Sequence, residues 1–221
     1  MIVDVNHGVT LLGAGEVMPG ALSEALTRAP ILVAADGGAR LAVEAGHLPE
    51  AVIGDMDSLD PATRERIPRD RLYHVAEQDS TDFEKCLSRI RAPFVLGAGF
   101  MGGRLDHELA ALNVLVRHPG QRCILIGPVD ICLHVPPALD LPLTPGTRVS
   151  LFPMTKVRAT GEGLRWPVDR VPFDPAGAIG TSNEALGPVE FTADRPSLLA
   201  ILPASALRAA VAALAGSERW P

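Results

Sequence analysis

The sequence predicts an α/β fold: a doubly wound, largely parallel sheet over roughly the first 135 residues, followed by a small domain of β-strands. Three observations predict it. Short apolar runs alternate with segments of helical periodicity, as strands and crossover helices do in a parallel sheet. From Leu141 to Pro203 that periodicity disappears, and short runs stand between Pro- and Gly-rich turns. Finally, 47% of the 221 residues are apolar, enough to bury a core without disulfide or metal staples.

In chain order, Val9–Ala14, Ile31–Ala35, Ala51–Ile53, Leu72–Ala76, Phe94–Ala98 and Cys123–Gly127 read as strands. Ala21–Arg28, Ala39–Ala45, Pro61–Arg66, Asp82–Ile90 and Leu105–Arg117 read as the helices between them. Asp60-Pro61 is an N-cap with proline at the first helical position, and Gly46 suits a helix stop. Leu105, Leu109, Leu112 and Val116 form an apolar stripe at helical spacing. Character changes near Pro136-Pro137, which divides the chain into residues 1–137 and 138–221. In the second part Arg148–Phe152, Lys156–Thr160, Val189–Ala193 and Leu198–Leu202 read as strands, and Ser205 to Ala215 as an Ala-rich helix.

Composition excludes several classes of function. The longest apolar stretches, such as Ala29–Ala35, run about seven residues against the roughly 20 of a membrane span. Met1-Ile2-Val3-Asp4 carries no secretory pattern, and Cys86, Cys123 and Cys132 form no CxxC pair, so a cytoplasmic protein with buried reduced thiols is expected. With 20 Lys+Arg against 26 Asp+Glu, the net charge of −6 offers no basic field for nucleic acid or an anionic membrane.

The chemistry lies in the loops. Four strand candidates each run into an acidic, glycine-marked or polar segment: Asp36-Gly37-Gly38, Gly54-Asp55-Met56-Asp57-Ser58, Gln78-Asp79-Ser80-Thr81-Asp82 and Gly102-Gly103-Arg104-Leu105-Asp106-His107. All strand C-termini of a parallel sheet lie on one edge, where such folds bind ligands. Up to six carboxylates then share one rim, and like charges so close require a counterion. Oxygen ligands without a His/Cys cluster favour Mg²⁺ over Zn²⁺, and Mg²⁺ usually accompanies a phosphorylated substrate. Arg104 offers a planar fork for phosphate oxygens. Taken singly the motifs have plainer readings: Thr81 and Glu84 as a capping box, Asp55 and Asp57 as loop acids capping the following helix, Lys85 as a surface partner of Asp82, Asp106 as an N-cap. Gly13-Ala14-Gly15 begins a dinucleotide fingerprint, but Met18 stands where the third glycine belongs; no P-loop or nucleophile elbow occurs. In the second part, Trp166 beside a turn suits an aromatic stacking platform, and Gly180-Thr181-Ser182-Asn183-Glu184 groups small hydrogen-bonding side chains.

In this order and spacing, Asp36-Gly37-Gly38-Ala39, Gly54-Asp55-Met56-Asp57-Ser58, Asp79-Ser80-Thr81-Asp82-Phe83-Glu84-Lys85, Gly102-Gly103-Arg104-Leu105-Asp106-His107, Gly163-Leu164-Arg165-Trp166 and Thr181-Ser182-Asn183 resemble the motifs of the thiamine pyrophosphokinase family. The resemblance runs from about Leu11 to Leu202. It implies an α/β catalytic domain, a C-terminal β-sandwich for thiamine binding and dimerisation, and a homodimer with shared active sites. It implies the reaction of ATP with thiamine, giving AMP and thiamine diphosphate with Mg²⁺. On this analogy Asp55, Asp57 and Asp82 hold the metal, and Asp106 completes the metal site or accepts the hydroxyl proton. Arg104 and Lys85 bind phosphate oxygens; Asp36, Gln78 and Thr81 line the nucleotide path. Trp166, Ser182 and Asn183, from the partner subunit, hold thiamine. Arg40 stands where the family commonly has Asn, and Pro167 follows Trp166.

Two other readings fit parts of the sequence. Asp55-Met56-Asp57 resembles the DxD of haloacid-dehalogenase phosphatases, but that motif belongs after the first strand with Thr or Val where Leu59 stands. A binding protein that kept the fold without turnover would show ligand affinity and no AMP release.

Overall fold

The computed structural model describes residues 1–77 and 79–221. It forms two compact units, Met1–Val114 with Leu125–Pro128, and Leu115–Ile124 with Val129–Pro221.

The first unit runs β1 (Val3–Asp4), β2 (Val9–Leu12), α1 (Ala21–Arg28), β3 (Ile31–Ala35), α2 (Gly38–Glu44), β4 (Ala51–Gly54), α3 (Pro61–Arg66), β5 (Leu72–His74), α4 (Asp82–Leu87), β6 (Ile90–Arg91) and β7 (Val95–Ala98). Next come α5 (Leu105–Arg117) and β8 (Cys123–Ile126), each divided between the units. The strand order β7-β2-β3-β4-β5 is parallel throughout. Strands β2, β4 and β7 are buried along their whole length, which is why they read as unbroken apolar runs rather than alternating ones. Strand β2 lies between β3 and the later β7, so strand order reverses there, and the C-terminal ends open on one edge. The short β1–β6 ladder was not foreseen.

The predicted caps form. Asp60 Oδ1 accepts the Thr63 N–H at 2.9 Å with Pro61 at the first turn. Gly46 takes φ 82° after α2. The predicted stripe on α5, however, is not its buried face. Leu105 and Leu109 are 70% and 54% exposed, while Ala111, Val114 and Leu115 are buried. Two apolar faces satisfy the same periodicity, and spacing alone does not rank them.

The second unit is antiparallel: β9 (Asp130–His134), β10 (Ala138–Leu141), β11 (Arg148–Pro153), β12 (Ala159–Leu164), β13 (Gly180–Ala193) and β14 (Leu198–Pro203), then α6 (Leu207–Gly216). The order is β10-β13-β11-β14-β9, with β12 on β13. Sequence reading found only the end of β13, because Gly187-Pro188 looks like a break. Instead one long strand serves three ladders, its first half on β11 and its second half between β10 and β12. Strands β9 and β10 flank Pro136-Pro137. The expected strand at Lys156–Thr160 starts later, at Ala159, since Val157 is engaged in an isolated bridge to Phe173.

His134 on β9 is buried, and its Nε2 has no hydrogen-bond partner among the described residues. The Trp220 ring lies 6.5 Å away, centroid to centroid, and its Nε1–H donates to Val135 O at 3.0 Å. Burial pushes the imidazole down to about 4. The native state thus favours neutral histidine, so this contribution is complete above about pH 6.5 and is lost as pH falls toward 4. The loss is expected to reach about 3 kcal/mol. Denaturation at pH 7 and pH 4.5 checks it: His134→Leu should show a flatter pH dependence than the parent.

Candidate active site

A cleft of about 530 Å³ opens at the C-terminal edge of the parallel sheet. Its walls come from the loops after successive strands: Gly13-Ala14-Gly15 after β2, Gly37 after β3, Asp55 and Ser58 after β4, Thr81, Asp82 and Lys85 at α4, and Gly99-Phe100-Met101 with Gly103-Arg104 after β7.

Asp36 follows β3 in a left-handed conformation, φ 39°, and is 1% exposed. The chain is built around this placement. A Cβ on Gly54 would lie 2.8 Å from Asp36 Cβ, and one on Gly38 would lie 2.1 Å from Leu12 O. Asp36 Oδ2 accepts the Ser58 N–H at 3.3 Å, whereas Oδ1 is buried with no donor among the described residues. Burial first, and then the neighbouring acids Asp82 and Asp55, push its carboxyl up to about 6.

Oxygens of Asp36, Asp55 and Asp57 lie within 4.8 Å of one another. Met56, between the last two, is also left-handed at φ 65°. The non-glycine residues with positive φ among those described are Asp36, Met56 and Ser182, all inside motifs singled out above. Such strain collects where a side chain must be aimed. An acceptor-only set with one orphaned oxygen fits a hard divalent cation.

Lys85 departs from the plain reading of a surface partner. It is 3% exposed, and Nζ donates to Asp55 Oδ2 at 2.9 Å and to Asp82 Oδ1 at 3.1 Å. Burial opposes its charge, but the bonds to Asp55 and Asp82 outweigh that and raise its pKa. The same contact is the main reason Asp55 falls to about 2. Thr81 caps α4, its Oγ1 accepting the Glu84 N–H at 3.3 Å, which fixes the start of the helix carrying Asp82 and Lys85.

Arg104 and Asp106 face each other, with Nε–Oδ1 at 3.1 Å and Nη2–Oδ2 at 2.6 Å, both exposed. Asp106 sits in the first turn of α5 rather than at its cap, and each partner shifts the other toward its charged form. Arg104 and His107 line the cleft. Asp106 lies outside the three-acid cluster. Gln78 is outside the described residues. Arg40 pairs with Glu44 along α2 at 2.9 Å. Sequence reasoning set aside Gly13-Ala14-Gly15, which lines the cleft; a glycine pair directly after a buried strand was the available signal.

In the second unit Trp166 is 55% exposed, with the Arg165 guanidinium 5.8 Å from its ring centroid. The buried Asn183 side chain grips the Trp166 backbone at both ends: Oδ1 accepts its N–H at 3.2 Å, and Nδ2 donates to its carbonyl at 2.7 Å. Ser182 is exposed and left-handed, φ 60°, at the irregularity between β11 and β13.

Residues 22–125 match the family model described as "Thiamin pyrophosphokinase, catalytic domain", and residues 131–198 match "Thiamin pyrophosphokinase, vitamin B1 binding domain". Thiamine pyrophosphokinase 1 of Oryza sativa subsp. japonica is 30% identical, with 71% of this chain and 72% of that protein covered. The fold resembles the thiamin pyrophosphokinase from Geobacillus thermodenitrificans (TM-score 0.74, 21% identity, 89% of this chain and 96% of that one). It also resembles the enzyme from Candida albicans (TM-score 0.76, 16% identity, 90% and 89%). With both family models falling in order along the chain and the acidic cluster inside the first, this chain is an enzyme of the thiamine pyrophosphokinase family.

Proposed function

We propose that the enzyme transfers the β,γ-pyrophosphoryl group of ATP to the hydroxyl of thiamine, giving thiamine diphosphate and AMP, with Mg²⁺ as its cofactor. The observation that carries this reading is the three-acid cluster with its orphaned Asp36 oxygen, at the sheet edge of a chain of this family. Asp55, Asp57 and Asp82 would hold the metal, with Asp36 beside Asp55 and Asp57 in the cluster. Bound there, Mg²⁺ would neutralise phosphate charge during transfer. The thiamine oxygen attacks the β-phosphorus as the bond to the AMP oxygen breaks, and the hydroxyl proton passes to a rim carboxylate, for which we assign Asp106. Arg104 and Lys85 bind phosphate oxygens, and the Gly13-Ala14-Gly15 loop and Thr81 line the nucleotide's path. Alignment and charge stabilisation supply most of the rate in such transfers.

Residues 138–221 serve in this reading as a β-sandwich for thiamine binding and dimerisation. Trp166 stacks on the thiamine rings and Ser182 hydrogen-bonds them, while Asn183 holds the Trp166 loop in place. A homodimer with shared sites is supported by the exposed Leu105 and Leu109 beside the cleft. The three buried thiols, Cys86, Cys123 and Cys132, suit the cytoplasm. No helix among the described residues is long and apolar enough to cross a membrane. Turnover of ATP should require both thiamine and Mg²⁺, stop with EDTA and return with added Mg²⁺. Thiamine-dependent turnover that survives EDTA would overturn the metal's role.

A further inference from the structure

Lys85 hydrogen-bonds two of the carboxylates that the reading above gives to the metal. Its backbone is fixed in α4, where the Lys85 N–H donates to Thr81 O at 2.8 Å and its carbonyl accepts from Arg89 Nη1 at 3.0 Å. Only the four-carbon side chain can move, and it lines the cleft. A divalent cation reaching Asp55 therefore meets an ammonium 2.9 Å from Oδ2. The two positive charges repel at that range, and the ammonium cannot stay buried without a partner. A cation that arrives with a triphosphate brings oxygens to which the ammonium can transfer its hydrogen bonds; a bare cation does not.

We propose that Lys85 is the resident counter-cation of the acidic site: it holds Asp55 and Asp82 while the cation–triphosphate is away and passes to the phosphate oxygens when it arrives. The site thereby discriminates against metal alone and couples metal affinity to nucleotide. This rests on the metal and triphosphate reading above.

The test is Mn²⁺ binding, followed by electron paramagnetic resonance, alone and with the nonhydrolysable α,β-methylene analogue of ATP. It compares the parent with Lys85→Met, Lys85→Gln and Lys85→Arg. Both neutral variants are expected to bind bare Mn²⁺ at least about tenfold more tightly than the parent, and the Arg variant to stay within about threefold of it. The analogue should strengthen Mn²⁺ binding in the parent by a factor that shrinks about tenfold in Met and Gln. Thermal unfolding identifies the folded variants, and either neutral one suffices. Equal bare Mn²⁺ affinity across the series, or an order that follows side-chain size instead of charge, overturns the role of Lys85 while leaving the metal site standing. A parent that binds no Mn²⁺ even with the analogue overturns both.

Discussion

Replacing Asp55 with asparagine is expected to lower thiamine-dependent AMP release by about a hundred- to a thousandfold at saturating Mg²⁺. Asp55 is the point where the site's charges meet: its Oδ2 takes the Lys85 ammonium at 2.9 Å, and its carboxylate faces Asp36 and Asp57. The amide removes the negative charge and can turn a donor toward Lys85, leaving that buried ammonium with Asp82 alone. A stability loss of about 1–3 kcal/mol should accompany the loss of turnover. Activity measured over a range of Mg²⁺, together with a urea melt, checks both effects. Near-parental turnover would remove Asp55 from the site.

Gly38→Ala is expected to cost about 3 kcal/mol. Its Cβ would stand 2.1 Å from the carbonyl oxygen of Leu12, and backbone on both sides must shift. Gly38 opens α2 two residues after the strained Asp36, so the shift also moves a carboxylate of the cluster. Gly187→Ala is the contrast, since nothing lies within 4 Å of its Cβ, and should fall within about 0.5 kcal/mol of the parent. Urea midpoints compare the two.

The parallel half was readable because burial on both faces turns strands into plain apolar runs, and caps such as Asp60-Pro61 mark where helices begin. The antiparallel half was less so. Strand β13 hides behind Gly187-Pro188, and its continuity depends on β10, β11 and β12, which pair with it from distant parts of the chain. The acidic rim followed from strand polarity, since every strand of a parallel sheet ends on the same edge. Which acids meet did not. Asp36 joins Asp55 and Asp57 because Gly54 leaves room for it, whereas Asp106, two residues from Arg104, turns to that guanidinium. Burial of Lys85 was invisible for a similar reason: its spacing from Asp82 suits a surface pair, and only the packing of α4 against β4 brings Asp55 to it. Asn183 likewise read as a ligand-facing group, while its amide is held by the backbone of Trp166.

The most direct test resolves the products formed from ATP, Mg²⁺ and thiamine by the purified protein. AMP and thiamine diphosphate in equal amounts are the expected result, for they show attack at the β-phosphorus. ADP with thiamine monophosphate would contradict it, placing the attack at the γ-phosphorus.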